Sequence, residues 1–372
     1  MRIAPAEFHL ARVRRLRECL QSASLDALLV TSLPNLSYLT GLFASAGAVL
    51  VGRDAVRLIV DGRYAEAGQA RAQALPGLEV EVVPPTGSFE ESTADQFRQQ
   101  AALRVGFEAS VMTVRAHVDL QRRLATACPL TELVATYGLV EALRAVKDTW
   151  ELGRLRDAAA RLSDTAKCIM PKALAGMSEL DVAGVIESEL RRVGFERPAF
   201  DTIVAAGPNS ARPHHRASDR KIEPGDLVVL DFGGVLDGYS VDLTRTVPIG
   251  LVDGRRRRLL EQVAEAQAAA FSAITVGRPA TDVDRAARDL LAAEGLGEAF
   301  SHGTGHGLGL EIHERPRVGR LRADLPVEPL AEGMVFTLEP GAYLSGWGGA
   351  RIEDDVVVTA QGGEWLTDVP RR

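Results

Sequence analysis

The 372-residue sequence has few cysteines, few aromatic residues and no excess of positive charge. Its three cysteines, Cys19, Cys128 and Cys168, lack the Cys-x-x-Cys spacing of a zinc or redox site, so we interpret them as small apolar residues. So few cysteines are typical of a reducing compartment. No stretch approaches the roughly 18 apolar residues that a membrane helix needs. The residues after Met1 lead to arginines, without the apolar segment of a secretory signal. We therefore expect a cytoplasmic protein that does not enter a membrane.

The charge balance is acidic, with a net charge of −7 and a pI near 5.6. This disfavours a general nucleic-acid-binding protein. The basic run Arg255–Arg258 lies at the start of a predicted helix, and we interpret it as a solvated face or a subunit contact. With 46% hydrophobic and 25% charged residues, the composition is that of a globular protein with a sizeable core. The length predicts roughly two or three domains.

Several common catalytic signatures are missing. The sequence contains no His-Glu-x-x-His zinc motif and no Gly-x-Ser-x-Gly nucleophile elbow. Gly303, Gly305, Gly307 and Gly309 alternate, so they form neither Gly-x-Gly-x-x-Gly nor a phosphate-binding loop, which needs a following Lys-Ser/Thr. We interpret these glycines as positions where another part of the backbone approaches closely around His306.

Five potential metal ligands lie in the C-terminal part of the chain, each in its own short motif: Asp231, Asp242, His306, Glu339 and Glu353. Four carboxylates and one imidazole make a hard, oxygen-rich set that suits two divalent cations. Two such ions about 3.5–4 Å apart can share a hydroxide and polarise a carbonyl, as in many hydrolases. A single acid is usually a solvated group or half of an ion pair. Asp231 and Glu339, however, directly follow apolar runs typical of buried strands, where an unpaired carboxylate is costly. We therefore favour metal ligands over structural ion pairs.

These motifs resemble the pita-bread metallopeptidases, and within them the Xaa-Pro peptidases, prolidase and aminopeptidase P. All five metal positions of that family are filled in order by the expected residue types. Further matches occur at residues 34–41, 200–211, 213–214 and 311–314. The resemblance covers nearly the whole chain and implies a two-domain α/β (α+β) fold. Residues 1–138 would form a creatinase-like α/β domain, and residues 139–372 a pita-bread domain with a curved, mainly antiparallel sheet.

The resemblance also implies roles for single residues. His214 and His313 would hydrogen-bond the scissile carbonyl and the tetrahedral intermediate, while Glu339 would carry a proton to the leaving nitrogen. Substrate binding is assigned to His302, Arg317 and Arg351. Two alternatives remain: His302 could support a metal ligand without touching substrate, and Arg317 could be an ordinary surface arginine. His215 is as readily interpreted as a surface histidine.

The implied reaction is hydrolysis of the peptide bond before proline, in Xaa-Pro dipeptides or N-terminal Xaa-Pro peptides, by a hydroxide activated by two metal ions. The implied cofactors are two divalent ions per subunit, with Mn²⁺ first and Co²⁺ or Zn²⁺ as alternatives. The implied partners are a proline-containing peptide and a second copy in a homodimer. Two alternatives remain: a creatinase-like C–N hydrolase without metal, and a non-catalytic peptide-binding module of the same fold. Retention of all five ligands disfavours both.

Local patterns predict the secondary structure. Helices are expected over residues 8–22, 63–74, 113–125, 148–175, 179–193, 253–275 and 281–294. Strands are expected over residues 27–30, 48–51, 56–60 and 78–83, and they dominate after residue 202. Residues 139–147 are interpreted as a connector. Asp237-Gly238 predicts a tight turn that brings Asp231 and Asp242 to one face of a hairpin. Helix pairs followed by strands occur twice, which suggests an internal duplication.

Overall fold

A computed structural model describes residues 1–100, 102–172, 175–324 and 326–371. The chain forms two compact units, Arg2–Arg144 and the part from Ala145 onward, with Met1 grouped with the second. The division falls near the end of the segment interpreted as a connector, which forms a short helix. None of the helices in the described ranges is long and apolar enough to cross a membrane.

The N-terminal unit is an α/β layer structure built on one mixed sheet. Its strands are β1 (Ala27–Val30), β2 (Ala48–Gly52), β3 (Val56–Val60), β4 (Leu78–Val82), β5 (Arg104–Glu108) and β6 (Glu132–Thr136). Its helices are α1 (Ala6–Ser22), α2 (Leu33–Thr40), α3 (Ala65–Ala74), α4 (Phe89–Gln99), α5 (Val114–Ala127) and α6 (Leu139–Ala145). The strand order is β4-β3-β2-β1-β5-β6. Strand β2 runs antiparallel to both neighbours, and the other pairs are parallel.

The buried acid of this unit is Glu108, at the end of β5, and it has a structural task. Its carboxylate accepts hydrogen bonds from the backbone of Thr31 at 2.6 Å and of Ser32 at 2.7 Å, and from the Asn35 amide at 2.6 Å. These donors surround the start of α2, where free backbone N–H groups favour a negative charge. Glu108 therefore satisfies a helix N-terminus of its own chain.

The second unit contains antiparallel sheets and two pairs of helices. Its helices are α7 (Thr149–Ile169), α8 (Glu179–Arg192), α9 (Gly254–Ser272) and α10 (Ala280–Ala293). Its strands are β7 (Arg197–Pro198), β8 (Ile203–Ala206), β9 (Leu227–Leu236), β10 (Tyr239–Pro248), β11 (Gly305–Gly307), β12 (Glu314–Val318), β13 (Val335–Leu338), β14 (Gly341–Leu344), β15 (Gly348–Arg351), β16 (Asp354–Thr359) and β17 (Gly362–Trp365). The sheet orders are β10-β9-β7 with β8 also on β9, β12-β11-β13-β16-β17, and β14-β15. Every ladder among these strands is antiparallel, as predicted.

Each helix pair covers one strand block. Buried residues of α7 and α8, such as Leu155 and Ile186, pack with Leu230 of β9 in one core cluster. Val283 of α10 packs with Phe336 of β13 in another. The same arrangement of two helices over strands thus occurs twice, as the repeated element order suggested.

Helix α7 begins where the sequence indicates but ends earlier. Asp148 caps it, with Glu151 completing a capping box. The helix stops at Ile169, and a 3₁₀ turn at Met170–Lys172 follows, so the predicted end near residue 175 is wrong. Met170 keeps helical backbone angles, but Pro171 lacks the N–H that would continue the α-helical hydrogen bonds, which explains the early end. Residues 173 and 174 of the predicted helix lie outside the described ranges.

The predicted turn at Asp237-Gly238 joins β9 to β10. Both residues have positive φ, 51° and 83°. This is the geometry that suits a two-residue hairpin and that Asp-Gly adopts readily. The turn sets the strand register on which the first two candidate ligands depend.

Candidate metal centre

Asp231 and Asp242 lie on the same face of the β9–β10 hairpin. Asp242 is the cross-strand partner of Gly233, and Asp231 is the partner of Thr244. Residues two apart on a strand share a face, as do direct cross-strand partners, so both carboxylates point the same way. The two side chains are buried, with 7% of Asp231 and 4% of Asp242 exposed.

Glu353 joins this pair through a single bridge between the two strand blocks. Thr244 and Glu353 form an antiparallel bridge, and the Thr244 hydroxyl donates to Glu353 Oε2 at 2.6 Å. Strands β13 and β16 pair Leu338 with Asp354. One further step of that register sets Glu339 opposite Glu353, so the two glutamates meet where the strands end.

His306 enters from β11, beside β13. Its Nε2 lies 3.6 Å from Glu339 Oε1 and 3.9 Å from Asp242 Oδ2. A Cβ on Gly305 would lie 1.8 Å from the Thr337 carbonyl, and one on Gly307 would lie 2.1 Å from the Arg315 carbonyl. The glycines around His306 therefore mark close backbone approach, as we interpreted them from the sequence.

The burial of these acids sets their electrostatics. Desolvation, followed by neighbouring carboxylates, raises the pKa of Asp242 and of Glu353 well above the ordinary value. Desolvation also raises the pKa of Glu339 to about 7, with Arg351 opposing the rise and Asp231 adding to it. Burial lowers the pKa of His306 to about 4, so its imidazole is neutral at pH 7 and suited to bind a metal.

The donor set fits divalent cations. Asp242, His306 and Glu353 each present one ligand atom, and these atoms all lie within 4.8 Å of one another. Oδ1 of Asp231 and Oδ1 of Asp242 are buried and have no hydrogen-bond partner among the described residues. Uncompensated buried carboxylate oxygens are costly, and a cation bound between them would offset that cost.

Arg351, predicted to bind substrate, lies behind the carboxylates. Its guanidinium is 4% exposed and donates to Asp231 Oδ2, to Thr244 Oγ1 at 3.2 Å and to the Tyr343 hydroxyl at 2.8 Å. The same hydroxyl lies 2.8 Å from His302 Nε2. His302 and Arg351 thus belong to one hydrogen-bonded layer that supports Asp231.

His214, His313 and Arg317 lie on the accessible side. The side chains of all three are exposed. The rings of His313 and His306 meet edge to face, with centroids 4.2 Å apart. Arg317 of β12 is the cross-strand partner of His306, so its side chain leaves the sheet on the same face. The structure therefore brings His313 and Arg317 beside His306.

Sequence reasoning missed several residues that support the ligands: Thr244, Thr337, Tyr343 and Asp355. Asp355 is fully buried and accepts a hydrogen bond from the Asp242 backbone at 3.1 Å. Thr337 accepts one from the His306 backbone at 3.1 Å. Thr244 and Asp355 each lie two positions after a candidate ligand on a strand, and that spacing was a usable signal. Nothing local indicated Tyr343.

Comparison with known proteins agrees with this architecture. Residues 153–360 match metallopeptidase family M24, and residues 12–146 match the creatinase/prolidase N-terminal domain. The chain is 38% identical to an uncharacterized peptidase, YqhT, of Bacillus subtilis over 97% of this chain and 98% of that one. Among solved structures, it is similar to an Xaa-Pro dipeptidase from Bacillus anthracis, with a TM-score of 0.91 and 34% identity over 98% and 99% of the two chains. It is also similar to an X-Pro aminopeptidase from Thermotoga maritima, with a TM-score of 0.83 and 34% identity over 94% and 97%.

These matches span both units at substantial identity, and the family acts through divalent metal ions. The buried carboxylate and histidine cluster lies inside the matched catalytic region. The chain is therefore a hydrolase of metallopeptidase family M24, with a creatinase/prolidase N-terminal domain and a pita-bread catalytic domain.

Proposed function

We propose that this enzyme hydrolyses the peptide bond before proline, in Xaa-Pro dipeptides or in peptides that begin with Xaa-Pro. The observation that carries the proposal is the convergence of four acids and one neutral imidazole beside exposed histidines. Asp242, Glu353 and His306 come from different strand segments, yet their ligand atoms lie within 4.8 Å. Burying several carboxylates together destabilises the folded protein, and a bound divalent cation would offset that cost.

Two divalent ions per subunit would be held by five residues: Asp231, Asp242, His306, Glu339 and Glu353. When bound, they would lower the pKa of a water molecule and polarise the scissile carbonyl. Oxygen-rich ligands with one imidazole suit Mn²⁺ best in our proposal, and Co²⁺ or Zn²⁺ also fit.

The protein's own groups would orient the substrate and move a proton. The side chains of His214 and His313 are exposed. In this proposal they would donate hydrogen bonds to the scissile carbonyl oxygen and to the charge that develops on it. Glu339 would carry a proton to the leaving nitrogen. Arg317 would bind the carboxyl end of the substrate through its planar fork of donors. In this proposal His302 and Arg351 act through hydrogen bonds to their neighbours.

The names of similar proteins support the proline preference. One solved structure of 34% identity is described as an Xaa-Pro dipeptidase, and another as an X-Pro aminopeptidase. Both likenesses extend over nearly the whole of each chain. A homodimer and a cytoplasmic location stay predictions from the sequence; light scattering tests the first and cell fractionation the second.

The experiment compares three substrates with the Mn²⁺-loaded protein: an Xaa-Pro dipeptide, a longer Xaa-Pro peptide and the matching Xaa-Ala peptide. We expect kcat/KM to be at least about tenfold higher with proline than with alanine, which equals roughly 1.4 kcal/mol of transition-state binding. Equal rates for the two would show that the specificity is wrong.

Two alternatives are separated by metal content. A creatinase-like hydrolase without metal, or a non-catalytic module, would carry no stoichiometric divalent ion. Elemental analysis of the purified protein, together with activity after exhaustive chelation, distinguishes both from a metallopeptidase. Full activity without metal would exclude our proposal.

A further inference from the structure

Glu179, the first residue of α8, is fully buried, and its carboxylate accepts five hydrogen bonds. Oε1 accepts from the Ala206 backbone at 2.8 Å and from the Asn209 amide at 3.0 Å. Oε2 accepts from His215 Nε2 at 2.8 Å, and from the Ser218 backbone at 3.0 Å and hydroxyl at 2.6 Å. All five donors come from one stretch of chain, so a single buried carboxylate ties that stretch to α8.

We call this stretch, residues 206–218, the histidine loop. It carries two adjacent histidines in opposite environments, since the His214 side chain is exposed whereas His215 is 9% exposed. Burial first, and then nearby charges that include His214, lowers the pKa of His302 and of His313. His214 therefore lies within electrostatic range of both. The residue before His214, Pro213, contacts Arg351 through its carbonyl, and the residue after it, His215, contacts Glu179.

The other side of the histidine loop rests on the β14–β15 hairpin. The Gly349 backbone donates to Ser210 Oγ at 2.8 Å, and Arg351 Nη1 donates to the Pro213 carbonyl at 3.3 Å. A Cβ on Gly349 would lie 2.5 Å from the Ser210 carbonyl oxygen. The loop is thus held from both sides, and the residue directly before His214 touches the layer that supports the carboxylates.

We propose that Glu179 and His215 are positioning residues that hold His214 toward the substrate. The proposal rests on the function proposed above, in which His214 contacts the substrate. His215 donates its Nε2 hydrogen to Glu179, which anchors the backbone immediately after His214. A misplacement of about 1 Å in a catalytic group can cost about a hundredfold in rate, so such an anchor matters for turnover.

The first test compares His215→Ala with His215→Gln. The glutamine amide can reach the position of Nε2 and donate to Glu179, but it does not exchange a proton near neutral pH. We expect His215→Ala to lower kcat about 10–100-fold with a smaller effect on KM and unchanged metal content. His215→Gln should stay within about threefold of the native enzyme, as a hydrogen-bonding role requires. Equal loss in both variants would overturn the positioning role, because it would assign proton chemistry to His215.

The second test asks whether His215 acts through His214. In a His214→Ala background, His215→Ala should change kcat by no more than about twofold, because residues that act as a unit are strongly non-additive. A full loss in that background would show that His215 acts independently, and the proposal would fail.

The third test needs no enzymatic activity. Arg216 is exposed in the histidine loop and offers trypsin a cleavage point before Ala217, whereas Arg212 precedes Pro213 and is not a trypsin site. We expect His215→Ala and Glu179→Gln to speed cleavage there, while His215→Gln stays resistant like the native chain. Unchanged cleavage in the first two would contradict the anchor.

A matched control is Glu151→Gln. Glu151 is 1% exposed in the same unit and accepts from the Asp148 backbone at 3.0 Å and the Tyr239 hydroxyl at 3.1 Å. It should lower stability without speeding tryptic cleavage at Arg216. If the native enzyme cleaves no Xaa-Pro substrate, the proposed function fails while the tryptic result still judges the anchor. If the native enzyme is active but the His215 variants change neither kcat nor tryptic cleavage, the positioning role of His215 and Glu179 is wrong while the proposed function stands.

Discussion

Arg351 donates a hydrogen bond from Nη2 to Oδ2 of Asp231, and both side chains are buried. The two residues lie 120 positions apart in sequence, on β15 and β9. This pair supplies a positive charge directly behind a cluster of four acids. It therefore offsets part of their mutual repulsion and fixes the direction of one candidate ligand.

Arg351→Lys tests that support. A lysine ammonium is a single point and cannot contact Asp231, Thr244 and Tyr343 at the same time as the guanidinium does. We expect metal affinity or kcat to fall about 10–100-fold. Metal titration and steady-state kinetics measure both. Arg192→Lys, in an exposed pair with Glu189, is the control and should change neither. If Arg351→Lys keeps the native metal affinity and kcat, Arg351 does not support the site.

Asp242→Asn separates metal binding from folding. In the metal-free protein Asp242 is buried near Asp231, Glu339 and Asp355, and the neutral amide removes one charge from that cluster. We expect the metal-free variant to melt above the metal-free native protein. It should lose most of the stabilisation by added Mn²⁺, which for one site is about 2.7 kcal/mol at a hundredfold excess over Kd. Thermal melts of both proteins with chelator and with Mn²⁺ measure these two effects. If Mn²⁺ stabilises the variant as much as the native protein, Asp242 is not a ligand.

His313→Ala separates chemistry from metal binding. His313 packs edge to face on His306 but is not one of the five proposed ligands. If it donates to the oxygen that gains charge, its loss should lower kcat by about 10²–10³. Bound metal and thermal stability should change little. Loss of metal together with activity would make it a ligand or a structural residue, and native kcat would make it a bystander.

Lys147→Met probes a buried ion pair at the start of the catalytic domain. Lys147 contacts Glu314, the residue after His313, and their side chains are 1% and 4% exposed. Removing one partner strands a buried charge, which costs about 3–5 kcal/mol of unfolding free energy. Denaturant unfolding of the catalytic domain measures this loss.

The pair also has a matched control and a rescue. Lys167→Met breaks an exposed pair with Asp368 and should cost at most about 1 kcal/mol. Adding Glu314→Leu to Lys147→Met should recover most of the stability, because no buried charge is left unpaired. If Lys147→Met costs no more than the control, the buried pair does not stabilise the domain.

Local patterns were enough for much of the fold. The strand before Asp231 and the hairpin at Asp237-Gly238 follow from residue spacing and turn chemistry, whereas the mainly antiparallel sheet was implied by the family resemblance. The end of α7 was predicted too late, because the helical pattern of the sequence runs past Pro171 whereas the helix stops at Ile169. Helices α2 and α4 were also missed. Helix α2 has eight residues, and the six from Asn35 to Thr40 are buried, so it lacks the one-sided pattern that sequence reasoning detects.

The sequence by itself determined which residues can bind metal, because four acids and a histidine in separate motifs carry their chemistry in their residue types. Only the tertiary structure showed which residues hydrogen-bond to the candidate ligands and to the histidine loop. His215 was as readily a surface histidine until its 2.8 Å contact with Glu179, 36 residues earlier, placed it inside. The tertiary structure also brings Arg351 against Asp231, a contact that the sequence did not indicate. These partners are distant in the chain and meet only through the packing of separate elements, α8 on the histidine loop and β15 beside β9, which no short stretch of sequence specifies.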